Sequence, residues 1–135
     1  LKPDAAEAAP APSPLPGCLE LLPAGRAWPL RTGLVTLGRE PTCDIAFDLP
    51  RVQELKLVSG GHAYLLCGPG AYRLFDGTPL GLPSVNGTYV NGRAVPPAGH
   101  LLQDGDLIIL AAVHRDAPNA ETPGVVALRF RANCE

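Results

Sequence analysis

Ser59 and His62 are a hydroxyl and an imidazole three positions apart, the residue types of a nucleophile and its general base. The run Val58-Ser59-Gly60-Gly61-His62 lacks the Gly-x-Ser-x-Gly elbow that exposes a hydrolase nucleophile. His62, His100 and His114 are scattered, and each lies beside apolar residues, the setting of structural or solvated imidazoles. Asp104 and Asp106 flank Gly105, which fits turn chemistry before a strand. A calcium loop would need more oxygen ligands at fixed spacing. Gly68-Pro69-Gly70 reads as a turn, since no Gly-Lys-Ser/Thr follows it to form a phosphate-binding P-loop. These residues predict a non-enzyme with no catalytic group, no metal and no cofactor.

Four cysteines stand at positions 18, 43, 67 and 134, with no Cys-x-x-Cys pair and no zinc-finger spacing to histidine. Three lie in or beside apolar, strand-like stretches, so buried free thiols are the simplest reading. One or two disulfides are the alternative.

The elements that must position any site follow from punctuation and alternation. The 135 residues suffice for one domain with a tail, and 46% hydrophobic against 18% charged residues exclude a wholly disordered chain. A net charge of −2 argues against a general nucleic-acid binder. No apolar run approaches the roughly 20 residues of a membrane span, and no signal peptide is visible, so a cytoplasmic location is expected. The 15 glycines and 16 prolines break helices and favour short strands joined by turns. Residues 1–17, LKPDAAEAAPAPSPLPG, read as an Ala/Pro-rich disordered linker, followed by a domain over 18–135. The lack of any methionine suggests a piece of a larger protein.

Strand-like runs occur at 18–22, 27–30, 34–37, 45–47, 55–58, 62–67, 72–75, 88–90, 107–113 and 125–130. Gly60-Gly61 between two of them is a hairpin signal. No amphipathic helical pattern extends over ten residues. The stretches 77–85 and 115–124 are long, turn-rich loops, which in a compact fold are usually functional or mobile. The pattern predicts an all-β sandwich.

Several motifs occur in order: Leu37-Gly38-Arg39, Cys43-Asp44-Ile45, Ser59-Gly60-Gly61-His62-Ala63, Tyr72-Arg73-Leu74-Phe75-Asp76, the run Ser84 to Gly92, and Leu102-Gln103-Asp104-Gly105-Asp106-Leu107-Ile108. The ordered set resembles the forkhead-associated (FHA) domain over about residues 18–131. The resemblance implies an FHA-like β-sandwich of about eleven short, mainly antiparallel strands. It also implies a module that binds phosphothreonine-containing proteins or peptides in Ser/Thr kinase signalling, through loops at one end. Arg39 would meet the phosphate, Ser59 would donate a hydroxyl bond, and Asn86 would hold the peptide backbone. Gly60 and Val85 would flank the phosphate. His62 would brace the loops, and Gly38 and Gly87 would supply turn geometry. Arg26, Arg31, Arg51, Arg73 and Arg93 are most simply surface charges. The expected partner is a phosphothreonine protein bound by a monomer, with no nucleic acid and no membrane insertion.

The chain departs from the family at two polar positions. Val85 stands where a Ser or Thr is common, and Gly60 where Arg, Lys or Asn is common. Each lost charge-assisted bond is worth roughly 1.5–3 kcal/mol, so binding weakens by a factor on the order of 10 to 1000. The spacing from Asp44 to Ser59 is also long for the family. A shorter register would put Gln53 at the serine position and Lys56 at the histidine position, leaving Leu55 to Cys67 as a hairpin. That register describes a degenerate scaffold that binds partners independently of phosphorylation.

Overall fold

A computed structural model describes residues 17–23, 26–69 and 71–133. Of the segment read as a linker, residues 1–17, positions 1–16 lie outside the described residues, as does Cys134. Gly17, its last residue, is buried: its N–H donates to the Tyr72 hydroxyl at 2.8 Å and its carbonyl accepts from Leu30 at 2.8 Å.

Among the described residues, eleven strands and one short helix follow in the order β1 (Cys18–Leu21), β2 (Ala27–Pro29), β3 (Gly33–Gly38), β4 (Ile45–Ala46), α1 (Pro50–Leu55), β5 (Ala63–Gly68), β6 (Ala71–Asp76), β7 (Thr88–Val90), β8 (Arg93–Ala94), β9 (His100–Leu101), β10 (Leu107–Leu110) and β11 (Val126–Arg131). They form a six-stranded sheet, β2-β1-β11-β10-β7-β8, and a five-stranded sheet, β4-β3-β5-β6-β9. All pairings are antiparallel except β3 with β4. The fold is the all-β sandwich expected. Pro29 lacks a ladder donor and sits on an edge strand, where that lack is tolerated.

The core lies between the sheets. Leu19, Ile108, Leu110, Leu128 and Phe130 from one sheet meet Val35, Leu37, Leu65 and Leu74 from the other. Alternation puts every second side chain inward, and burial of this apolar area is the main stabilising term. A second cluster of Tyr89, Ile109 and Ala112 is covered by Ala120 and Val125. The 115–124 loop therefore folds back over the six-stranded sheet.

Four expectations are corrected. Residues 55–58 are not a strand: Pro50 opens helix α1, Val52 anchors it in the core, and Lys56 ends it in the left-handed region at φ 55. The LKLV alternation loses to a proline that suits the first helical turn and to burial of Val52. Nor is Gly60-Gly61 a hairpin turn. Strand β5 pairs β3 and β6 instead, and the chain passes Gly60 closely against β3. A Cβ on Gly38 would overlap the Gly60 carbonyl, so Gly38 is required by this approach rather than by turn geometry. The two-residue strands β8 and β9 carry no alternation signal. The run 107–113 is also cut short at Leu110, because Ala111 turns away with φ 83 to donate to the Gly87 carbonyl at 2.9 Å.

Candidate functional site

The sheet registers bring four chain segments to one end of the sandwich. Leu37 at the end of β3 pairs with Ala63 at the start of β5, which pairs with Asp76 at the end of β6. Thr88 at the start of β7 pairs with Leu110 at the end of β10. Arg39, Ser59, Val85-Asn86 and the loop after β10 are the residues just beyond these strand ends.

Backbone bonds tie the first two segments together. Arg39 N–H donates to the Ser59 carbonyl at 3.1 Å, and Glu40 N–H to the Gly60 carbonyl at 3.2 Å. The Arg39 side chain is oriented by its Nε–H, which donates to the Val58 carbonyl at 2.9 Å, and its two terminal amino groups form none of the side-chain bonds found among the described residues. Behind it, the Gln53 side-chain amide on α1 donates to the carbonyls of Arg39 at 3.0 Å and Phe47 at 3.1 Å. Gln53 is thus a strut for the Arg39 backbone, while Ser59 is the residue whose hydroxyl joins the loop of Val85 and Asn86.

The Ser59 Oγ accepts the Val85 N–H at 2.9 Å, which leaves its own proton available to donate. His62 is fully buried. Its Nδ1 accepts from Ser59 N–H at 2.9 Å and its Nε2–H donates to the Gly87 carbonyl at 2.7 Å. Burial pushes the imidazole below its ordinary value, so it is neutral in this tautomer. His62 grips the Ser59 backbone and not its hydroxyl, so the pair does not form a nucleophile and base.

The third segment is braced by Asp76. Its carboxylate accepts from Ser84 Oγ at 2.5 Å, from Thr88 Oγ1 at 2.6 Å and from Ser84 N–H at 3.2 Å, and Ser84 Oγ in turn accepts from Gly87 N–H at 2.8 Å. Gly87 adopts φ 84, and a Cβ there would overlap the Tyr89 hydroxyl. Asn86 Nδ2 donates to the Leu57 carbonyl at 2.8 Å, which fixes the amide plane beside Ser59. Val85 is 73% exposed at the loop tip.

Arg115 is a basic residue that sequence reasoning missed. Its Nη2 donates to the Val85 carbonyl from the long loop after β10. Asp76 and Ser84 were read only as parts of a motif. The signal for Ser84 was the pair of hydroxyl residues, Ser84 and Thr88, flanking Asn86-Gly87, which is the composition of a side-chain-braced turn, whereas Asp76 lies ten positions before Asn86 and carried no local signal. Asp104-Gly105-Asp106 is the turn expected, with Gly105 at φ 89 and Asp106 N–H donating to Gln103 at 3.0 Å. Asp106 also accepts from Asn91 at 2.9 Å and contacts His100 Nε2 at 3.0 Å. Cys43 and Cys67 carry free thiols, Cys67 being buried; burial pushes the Cys67 thiol up to about 11.

Residues 35–111 match the sequence family described as the FHA domain. The chain belongs to the FHA domain family. Solved structures share the architecture. One, analysed for phosphothreonine-dependent FHA interactions, is 27% identical with a TM-score of 0.62, over 85% of this chain and 94% of its own. The Slr1951 protein from Synechocystis sp. is 30% identical with a TM-score of 0.59, over 85% of this chain and 96% of its own. The N-terminal FHA domain of S. cerevisiae Rad53p, solved with a phosphothreonine peptide, is 21% identical with a TM-score of 0.64, over 88% of this chain and 94% of its own, and shows the common fold. No curated protein matches the sequence significantly. No helix among the described residues of this FHA domain is long and apolar enough to cross a membrane.

Proposed function

We propose that this FHA domain is a protein-interaction module that binds phosphothreonine-containing proteins or peptides and catalyses no reaction. The observation that carries this reading is the convergence of the Arg39 fork, the Ser59 hydroxyl and the Asn86 amide at one end of the sandwich. Arg39 presents a planar fork of donors to a phosphate with nearly two negative charges. Ser59 donates its free hydroxyl proton to a phosphate oxygen. Asn86, held by Leu57, accepts from the peptide backbone through Oδ1. Gly60 and Val85, the chain neighbours of Ser59 and Asn86, bring no polar side chains to this end of the sandwich. The 27% identical FHA domain analysed for phosphothreonine-dependent interactions supports the choice of ligand. The enzyme class that makes phosphothreonine is a Ser/Thr kinase, so the module acts downstream of one.

A second reading is a scaffold that binds partners whether or not they are phosphorylated. It is favoured by the apolar tip at Val85 and the missing side chain at Gly60. A titration of paired phosphorylated and unphosphorylated threonine peptides at low salt, where electrostatic attraction is least screened, separates the two. Preference for the phosphorylated form supports the first reading, and equal affinity leaves the second.

A further inference from the structure

Gly60 lies between Ser59 and the loop glycine Gly61, and its missing side chain leaves a space that another residue fills. A Cβ on Gly60 would lie 2.7 Å from Glu40 Cδ and 2.9 Å from Glu40 Oε2. The bond from Glu40 N–H to the Gly60 carbonyl, 3.2 Å, holds the two residues together. The Glu40 side chain is exposed, and its carboxylate forms none of the ion pairs found among the described residues. Its field reaches the loop: after burial, the Glu40 charge is the next cause raising the Cys43 thiol above its ordinary 9.0. That thiol itself donates to the Gly60 carbonyl at 3.2 Å.

The site therefore carries two charges of opposite sign side by side. Arg39 is followed directly by Glu40, and Ser59 is followed directly by the glycine that Glu40 covers. A phosphate seated on Arg39 and Ser59 meets a neighbouring carboxylate that repels it. The repulsion is relieved when the ligand brings a cation to Glu40. Charges then alternate: Arg39, phosphate, ligand cation, Glu40.

Resting on the phosphothreonine reading, we infer that Glu40 is a specificity residue that takes a Lys or Arg side chain of the bound peptide close to its phosphothreonine. An extended peptide advances ~3.3 Å per residue, so the basic residue lies within about two positions of the phosphothreonine. Such ligands are products of kinases that select threonines beside basic residues.

The test is fluorescence anisotropy at one fixed ionic strength with the whole chain. Three phosphothreonine peptides differ only in carrying Arg, Ala or Glu at the flanking positions, and an unphosphorylated Arg-flanked peptide is the fourth. With the native chain, the Arg-flanked phosphopeptide binds about three- to fivefold tighter than the Ala-flanked one, the size of an exposed ion pair. In Glu40→Gln the difference disappears and the Ala-flanked peptide tightens. In Glu40→Lys the order reverses in favour of the Glu-flanked peptide. Equal affinity across the flanks with phosphate preference intact overturns the role of Glu40 and leaves the phosphothreonine reading standing. An Arg preference that survives Glu40→Gln overturns it as well. If the unphosphorylated peptide binds as well as its phosphorylated form, the phosphothreonine reading fails and the role of Glu40 fails with it.

Discussion

At the residue scale, Arg39 combines two jobs. Its Nε–H bond to Val58 is structural, and its terminal amino groups are the phosphate donors proposed. Arg39→Ala is expected to weaken phosphopeptide binding about 10- to 150-fold, the worth of one charge-assisted bond. Arg39→Lys keeps the charge but loses the fork, and should fall between the two. Calorimetric titration of one phosphopeptide against the three proteins checks the order. Asn86→Ala should weaken binding irrespective of the flanking sequence, because it acts on the peptide backbone. Val85→Thr should act the other way. Val85 is 73% exposed and Thr has nearly its shape, so the loop tolerates the change and gains a hydroxyl beside the phosphate. Binding tighter than native by severalfold, with an unchanged melting temperature, is the expected result.

Helix α1 illustrates the element scale. Six residues are too few to hold a helix by backbone bonds alone. Burial of Val52 and the two bonds from Gln53 keep it in place, and the same bonds hold the backbone of Arg39. Gln53→Ala removes both partners, leaving the Arg39 and Phe47 carbonyls without them. The expected cost is about 1–3 kcal/mol of stability, read from a urea melt. At a temperature where the variant is still folded, its phosphopeptide affinity should also drop, although Gln53 touches no ligand. Unchanged affinity would mean that the loop holds Arg39 without α1. The loop Ser84 to Thr88 has a comparable brace in Asp76, which explains how an exposed tip can carry Val85 and Asn86 in one fixed conformation.

For the molecule as a whole, His62 links acid stability to the site. Its folded value lies below the ordinary 6.5 because the ring is buried, with its Nδ1 turned to a backbone N–H. Below pH 6.5 the unfolded chain takes up a proton that the folded chain refuses. Stability is therefore complete above that pH and is lost as pH falls toward the lower folded value, with a slope of at most about 1.4 kcal/mol per pH unit. Chemical denaturation between pH 7.5 and pH 5 should show this loss, and His62→Ala, though less stable throughout, should show a flatter profile. The domain boundary is a second matter of the whole fold. Removing residues 1–16 should leave the melting temperature within a few degrees, since they offer almost no apolar face to bury. Removing Gly17 as well should lower it, because that residue bonds both Tyr72 and Leu30.

The features legible in sequence are those whose cause lies within a few residues. Alternation marked the core strands, since the side-chain period is a property of the strand itself. Asn86-Gly87 and Asp104-Gly105-Asp106 announced their turns because a positive φ at glycine and a short polar neighbour suffice for one. The order of those motifs was enough to indicate the family. What lay beyond reach depends on contacts between distant parts of the chain. Whether Ser59 or Gln53 joins the site is decided by which way α1 packs, and that rests on burial of Val52 and on bonds to carbonyls fourteen and six residues away. Gly60-Gly61 has the composition of a hairpin turn, but sheet pairing through β3 and β6 uses it for close approach. The reach of Arg115 to Val85 spans thirty positions, and that of Glu40 over Gly60 twenty. No local pattern encodes such meetings, because each is set by strand register, and register is fixed by how the two sheets bury their apolar faces against one another.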